Sequence, residues 1–165
     1  MAARRLLNQH RYALAAVGFE KPIVGTLNLV AAGVIDAGAG RLSVAGHEVR
    51  TSKAVTEHAT DGAVTLAVRP EGVHLGDGGP GDNRLHGQVE DINFLGSIVR
   101  IRIRLDDDSH GEPPTTMALD TFNEPHMRLP DIGANVTISF PAEACFVLGA
   151  AREGALASAD AGAQV

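Results

Sequence analysis

Val99-Arg100-Ile101-Arg102-Ile103-Arg104-Leu105 decides how this chain folds. Valine, isoleucine and leucine hold every odd position and arginine every even one. The apolar set lines a single face only if the backbone is extended, because side chains alternate across a strand with a period of two. One face is therefore core, and the other keeps its guanidinium groups in water or pairs them with acids. Asp106-Asp107-Asp108 ends the strand at a polar turn.

Working outward, the same period recurs between turn signals. Leu85–Ile92 leads into the arginine strand, and residues 76–83, with four glycines and a proline, read as a linker or long loop that holds no regular structure. Further back, Val64, Leu66 and Val68 alternate with Thr65, Ala67 and Arg69 until Pro70 removes a backbone donor and stops the ladder. Val30–Asp36 and Arg41–Val44 read as a hairpin across Ala37-Gly38-Ala39-Gly40, with room for another strand after Gly46. Downstream, Thr115–Leu119 and Val136–Phe140 alternate as well, with Pro130, Asp131 and Gly133 turning the chain before the second. At least six short strands without a long internal helix predict an all-β fold, a small barrel or a pair of β-lobes in which closure protects strand edges.

The ends differ from this middle. Residues 1–17 place Arg4, Arg5 and Arg11 on an alanine- and leucine-containing stretch, and on residues alone a short amphipathic helix and a frayed terminus both remain open. Beyond Gly149 the composition turns Ala-, Gly- and Ser-rich, as in a mobile tail. The expected division is an adaptor over 1–22, a β domain over 23–150 and a tail over 151–165. A length of 165 residues fits one ordinary core, and 44% hydrophobic residues with 19 glycines fit a packed globule rich in turns.

A net charge of −6 without a basic block disfavours nucleic acid as a partner. The six aromatic residues are too few, and mostly too core-like in position, to form a stacking platform. No stretch reaches the ~20 apolar residues needed to span a bilayer, so a cytoplasmic protein is expected. Cys145 stands alone and reads as a small buried hydrophobe. Neither Lys21 nor Lys53 follows a glycine, which excludes a P-loop, and Asp77 and Asp82 put negative charge where a phosphate would sit on the glycine loop. Seven scattered histidines lack metal-ligand spacing, and Asp106–Asp108 lacks the alternation of a calcium loop. No serine or cysteine lies in a nucleophile elbow. No catalytic, cofactor-binding or metal-binding residue is expected.

Three stretches together resemble one family. Val64-Thr65-Leu66-Ala67-Val68-Arg69-Pro70-Glu71-Gly72-Val73 is similar to the strand followed by Arg-Pro-Glu in the accessory domains, of the TOBE (transport-associated OB) type, at the C-terminal end of ABC importer ATPase subunits for maltose, polyamines and ferric iron. Gly25-Thr26-Leu27-Asn28 resembles the Gly-x-x-Asn lead-in to that domain's first strand, and Leu85–Gly96, ending Phe94-Leu95-Gly96, its second-lobe strand. Ile138–Leu148 resembles the closing strand, proline and last apolar strand. The resemblance covers about residues 23–150.

It implies an OB-like small β-barrel of two strand-rich lobes whose work is dimer contact and regulation of transport. The implied partners are an ABC ATPase domain, its dimer mate and, indirectly, membrane permease subunits, with a homodimer expected at the cytoplasmic side of the inner membrane. ATP and magnesium would belong to the ATPase domain, and no Walker motif or ABC signature is found here. Arg69, Pro70 and Glu71 form the family corner, where a fixed proline φ leaves a guanidinium placed for bidentate bonding. Gly25, Asn28, Leu95 and Gly96 are the other motif positions. The alternative is a free-standing oxyanion binder of the molybdate-binding type, for which Ser97, Thr115 and Thr116 are the available donors.

Overall fold

The computed structural model describes residues 26–55, 62–107 and 114–148. The adaptor segment 1–22, Gly25 and the tail 151–165 lie outside the described residues.

Among the described residues, ten strands account for nearly all of the regular structure. β1 (Asn28–Asp36), β2 (Arg41–Val44), β3 (His47–Arg50), β4 (Ala63–Val68) and β5 (His74–Leu75) make a first run. β6 (Asn83–Leu95), β7 (Ile98–Leu105), β8 (Thr116–Phe122), β9 (Asn135–Phe140) and β10 (Cys145–Leu148) make a second. All pairings are antiparallel. They form two five-stranded sheets ordered β10-β4-β1-β2-β3 and β5-β9-β6-β7-β8, curled into an OB-like half-barrel.

These orders are the same order. Strand for strand, β1 to β4 of the first sheet correspond to β6 to β9 of the second, so the chain repeats one unit twice. The fifth strand of each run is exchanged: β5 pairs with β9, and β10 pairs with β4. The chain crosses between sheets at two 3₁₀ turns, Pro70–Gly72 and Ala142–Ala144. A proline opens each crossing, since its fixed φ suits a turn and its missing N–H ends the preceding ladder.

One continuous core fills the space between the sheets, with Leu42, Val49 and Leu66 from the first and Ile101, Ile103 and Phe140 from the second all fully buried. β7 shows why: Val99, Ile101, Ile103 and Leu105 point inward while the arginines line the outer face. Asn83, which the sequence placed in the loop, instead begins β6. The residue is only 5% exposed, because the backbone its side chain binds lies in the other sheet. β5, two residues long and too short for periodicity to reveal, was not expected. β6 continues to Leu95 past a bulge between Val89 and Asp91. β8 runs on to Phe122.

Two asparagines tie sheet to sheet. Asn28 Nδ2 donates to the Ala118 carbonyl (2.8 Å) and the Ala118 N–H donates to Asn28 Oδ1 (2.8 Å), joining β1 to the edge of β8. Asn83 Nδ2 donates to the Arg50 carbonyl (2.9 Å) and the Arg50 N–H donates to Asn83 Oδ1 (2.7 Å), joining β6 to β3. A side-chain amide carries the same donor and acceptor as a peptide, so each asparagine extends a ladder across the seam where strand pairing stops.

Candidate functional site

The Arg-Pro-Glu corner is the crossing from the first sheet to the second. Arg69 is extended (φ −73°, ψ 137°), Pro70 is buried at the first turn position, and the Gly72 and Val73 N–H groups donate to the carbonyls of Arg69 (3.0 Å) and Pro70 (3.2 Å). The backbone is thus closed on itself, with the Glu71 side chain left in solvent.

Arg69 and Glu71 meet through one contact, Nη1 to Oε1 at 3.7 Å, between side chains 39% and 62% exposed. That is a solvent-screened ion pair beyond hydrogen-bond length. A bidentate fork stands on the neighbouring strands. Arg100 makes it, with Nε to Asp120 Oδ1 and Nη2 to Asp120 Oδ2 both at 2.7 Å across β7 and β8. The hydrogen bond to Asp120 raises the Arg100 pKa; burial opposes the shift, and the charges of Asp120 and Glu71 add to it. The other arginines of that strand are also engaged: Arg104 Nη2 donates to Gln88 Oε1 (2.7 Å), and Arg102 Nη1 lies 3.9 Å from Glu90.

Leu95 and Gly96 stand at the β6–β7 reversal. The chain turns in two residues there, which Gly96 permits with φ +79°. Asn123 fastens the turn, its N–H donating to the Ser97 carbonyl (2.9 Å) and its Nδ2 to the Gly96 carbonyl (3.2 Å). Ser97 is exposed at this end of the β7–β8 ladder, whereas Thr115 and Thr116 are half-buried at its other end, where Arg104 pairs with Thr116. One chain does not bring these three hydroxyls together.

The glycine loop is stapled. Gly79 N–H donates to Asp82 Oδ2 (2.7 Å), Arg84 Nε to the Asp77 carbonyl (2.6 Å) and Gly76 N–H to the Thr137 carbonyl (2.8 Å). Among the described residues no group of three His, Cys, Asp or Glu is placed to hold a metal. No helix among them is long and apolar enough to cross a membrane. The aromatics read from the sequence as mostly core-like include two exceptions, Phe94 and Phe122, exposed at 62% and 68% because they sit where β6 and β8 run past the body of the sheet. The asparagine seams were also missed as a pair, although both residues stand six positions before a valine and eight before an aspartate, at Asn28-Val34-Asp36 and Asn83-Val89-Asp91.

Two curled five-stranded sheets, exchanged last strands and a proline corner at the crossing define an OB-like accessory fold. The chain belongs to the TOBE domain family, whose model matches residues 66–148. It is 33% identical over 131 residues to the spermidine/putrescine import ATP-binding protein PotA of Ruegeria pomeroyi, an alignment that takes in 79% of this chain and 34% of that protein. The chain thus spans about a third of that relative's length. In structure it resembles the cytoplasmic molybdate-binding protein ModG, solved with molybdate bound, at a TM-score of 0.54 and 16% identity, covering 74% of this chain and 95% of that one. At that identity the likeness concerns the fold.

Proposed function

We propose that residues 23–150 are the regulatory and dimer-contact domain of an ABC importer ATP-binding subunit. The observation that carries this reading is the alignment with an import ATP-binding protein over 131 residues, together with the TOBE match over 66–148. In this reading the chain contributes no chemistry of its own. ATP and magnesium are held by an ATPase domain, permease subunits are reached through that domain, and the assembly sits on the cytoplasmic side of the membrane. The Arg69-Pro70-Glu71 corner fixes how the two sheets meet, and Glu71, the exposed charge of that corner, is the residue through which a partner domain would sense it.

A chimera tests this. The matching segment of the Ruegeria pomeroyi import ATP-binding protein is replaced by residues 23–150, and spermidine uptake is measured in cells lacking the native subunit. Uptake restored well above that of the same subunit truncated before the segment is the expected result. A chimera that is expressed, hydrolyses ATP and still supports no more uptake than the truncation refutes the proposal.

A further inference from the structure

The seam that Asn83 closes carries a second pair of side chains. Asn83 bonds both ways to the Arg50 peptide, which sets β6 beside β3, and counting three residues on from Asn83 and three back from Arg50 reaches His86 and His47. Their rings meet there, with centres 5.6 Å apart and planes inclined at 65°. The same count at the other seam, from Asn28 and its partner Ala118, reaches Ala31 and Thr115. Two imidazoles across a seam are therefore not something the repeated fold requires.

Both rings are held from their own strands. The His86 Nδ1 lies 3.0 Å from the Oγ1 of Thr137, the residue opposite it on β9. That contact uses one ring nitrogen and leaves Nε2 as the open one. An imidazole that ligates a metal is ordinarily fixed in this way, its far N–H donated to an oxygen that sets ring and tautomer. His47 follows the turn Ala45-Gly46, whose positive φ angles of 47° and 80° reverse the chain in two residues and fix where β3 begins.

The spacing suits one shared ion. With a metal–nitrogen bond of about 2.0–2.1 Å and ~1.2 Å from nitrogen to ring centre, two imidazoles on a tetrahedral ion have centres about 5.3 Å apart. Ligands at right angles would bring the centres to about 4.6 Å, and opposed ligands would hold them about 6.5 Å apart. The 5.6 Å separation lies nearest the tetrahedral value.

We propose that His47 and His86 bind one divalent transition-metal ion of the zinc type, His86 through Nε2, and that the ion clips β3 to β6 beside the Asn83 bonds. Zinc imposes no geometry of its own and takes neutral imidazole readily. Glu48 is not a third ligand, since Arg41 and Arg50 already hold its carboxylate at 3.0, 2.8 and 3.2 Å. Among the described residues no third His, Cys, Asp or Glu joins the pair, so water completes the coordination and the site binds more weakly than a closed four-ligand one. The net charge of −6 favours a cation. Spacing rules along the sequence do not find the pair, because only the seam brings β3 and β6 together. The proposal is independent of the importer reading.

Calorimetric titration of the untagged 165-residue chain with zinc chloride at about pH 7.5, where imidazoles are neutral, tests this beside His47→Ala, His86→Ala, Thr137→Val and the control His126→Ala. The expected result is a site that either seam histidine variant weakens at least about tenfold, that Thr137→Val weakens about tenfold by freeing the His86 ring, and that the control leaves unchanged. Because the two ligands come from different sheets, saturating zinc should also raise the urea midpoint of the native chain and not that of either seam variant. Urea midpoints taken without zinc establish that each variant is folded. A chain that binds no zinc, binding that survives His47→Ala or His86→Ala, indifference to Thr137→Val, an equal loss in His126→Ala, or a urea midpoint unmoved by saturating zinc overturns the proposal.

Discussion

Replacing Asn83 by alanine takes away both bonds that hold β6 to β3: its donation to the Arg50 carbonyl at 2.9 Å and its acceptance from the Arg50 N–H at 2.7 Å. Each such bond contributes about 0.5–1.5 kcal/mol net, and a peptide group left without a partner costs about 1–3 kcal/mol where water cannot reach it. Arg50 lies on an edge strand with its side chain in solvent, so its peptide recovers part of that loss from water. The sum is about 3 kcal/mol, a large share of the ~5–15 kcal/mol that keeps a domain folded. Urea denaturation followed by far-ultraviolet circular dichroism measures it; with a slope of about 1.5–2 kcal/mol per M, the midpoint should fall by about 1.5–2 M at unchanged slope. Asn28→Ala should cost a similar amount through Ala118, and the two losses should add to within about 0.5 kcal/mol, because the seams share no partner. Asn83→Asp sharpens the test. Its carboxylate still accepts from the Arg50 N–H but repels the carbonyl, so it is destabilised at neutral pH and should recover as acid restores a donor. A loss below about 0.5 kcal/mol for Asn83→Ala would refute the idea that these amides join the sheets.

Two glycines separate backbone conformation from space. Gly96→Ala meets open surroundings at φ +79° and should cost about 1–2 kcal/mol from conformation alone, whereas at Gly87 a Cβ would overlap the Arg104 carbonyl and the Ile103 side chain, forcing β6 and β7 apart. Melting temperatures should therefore fall further for Gly87→Ala than for Gly96→Ala, and the reverse order would refute this account. Cys145 tests burial through pH. Burial pushes its thiol up to about 12, with the charge of Glu143 adding to the shift and the Asn83 amide opposing it. A thiol reagent at about pH 8 should modify the native protein far more slowly than the urea-unfolded chain. Because the folded pKa lies above the unfolded value of about 8.5, the stabilisation is full below that pH and is lost as pH rises from there toward the folded value, so the urea midpoint should decline across that window.

Local pattern carried the strands, and long-range pairing carried what the sequence hid. The alternation of Val99 through Leu105 needs only its own seven residues to declare a strand with one buried face, and Pro70 needs only its own ring to end β4. β5 and β10 are different, since which sheet a short strand joins depends on partners far along the chain. The exposure of Phe94 and Phe122 likewise depends on how far three separate strands run past the sheet body, which no single stretch records. The Arg100–Asp120 fork is of the same kind, since it exists because register sets Asp120 directly opposite Arg100 on another strand.

The exchange of last strands explains why the Val64–Val73 motif joins a strand to a corner. Neither unit completes its own sheet: the first gives β5 to the second, and the second returns β10. Each transfer happens in a few residues, at Arg69-Pro70-Glu71-Gly72 and at Pro141-Ala142-Glu143-Ala144, and an error in either would leave a sheet short of its edge and open the common core to water. The Ser52 N–H closes on the Ala142 carbonyl (3.3 Å) at one crossing, and Glu71 adds its field to the Arg100–Asp120 fork at the other. Strand positions tolerate any apolar residue of suitable size, because the core asks only for volume on one face. A crossing asks for a fixed φ, a missing donor and a charge on a stated side at once, and few sequences meet all three.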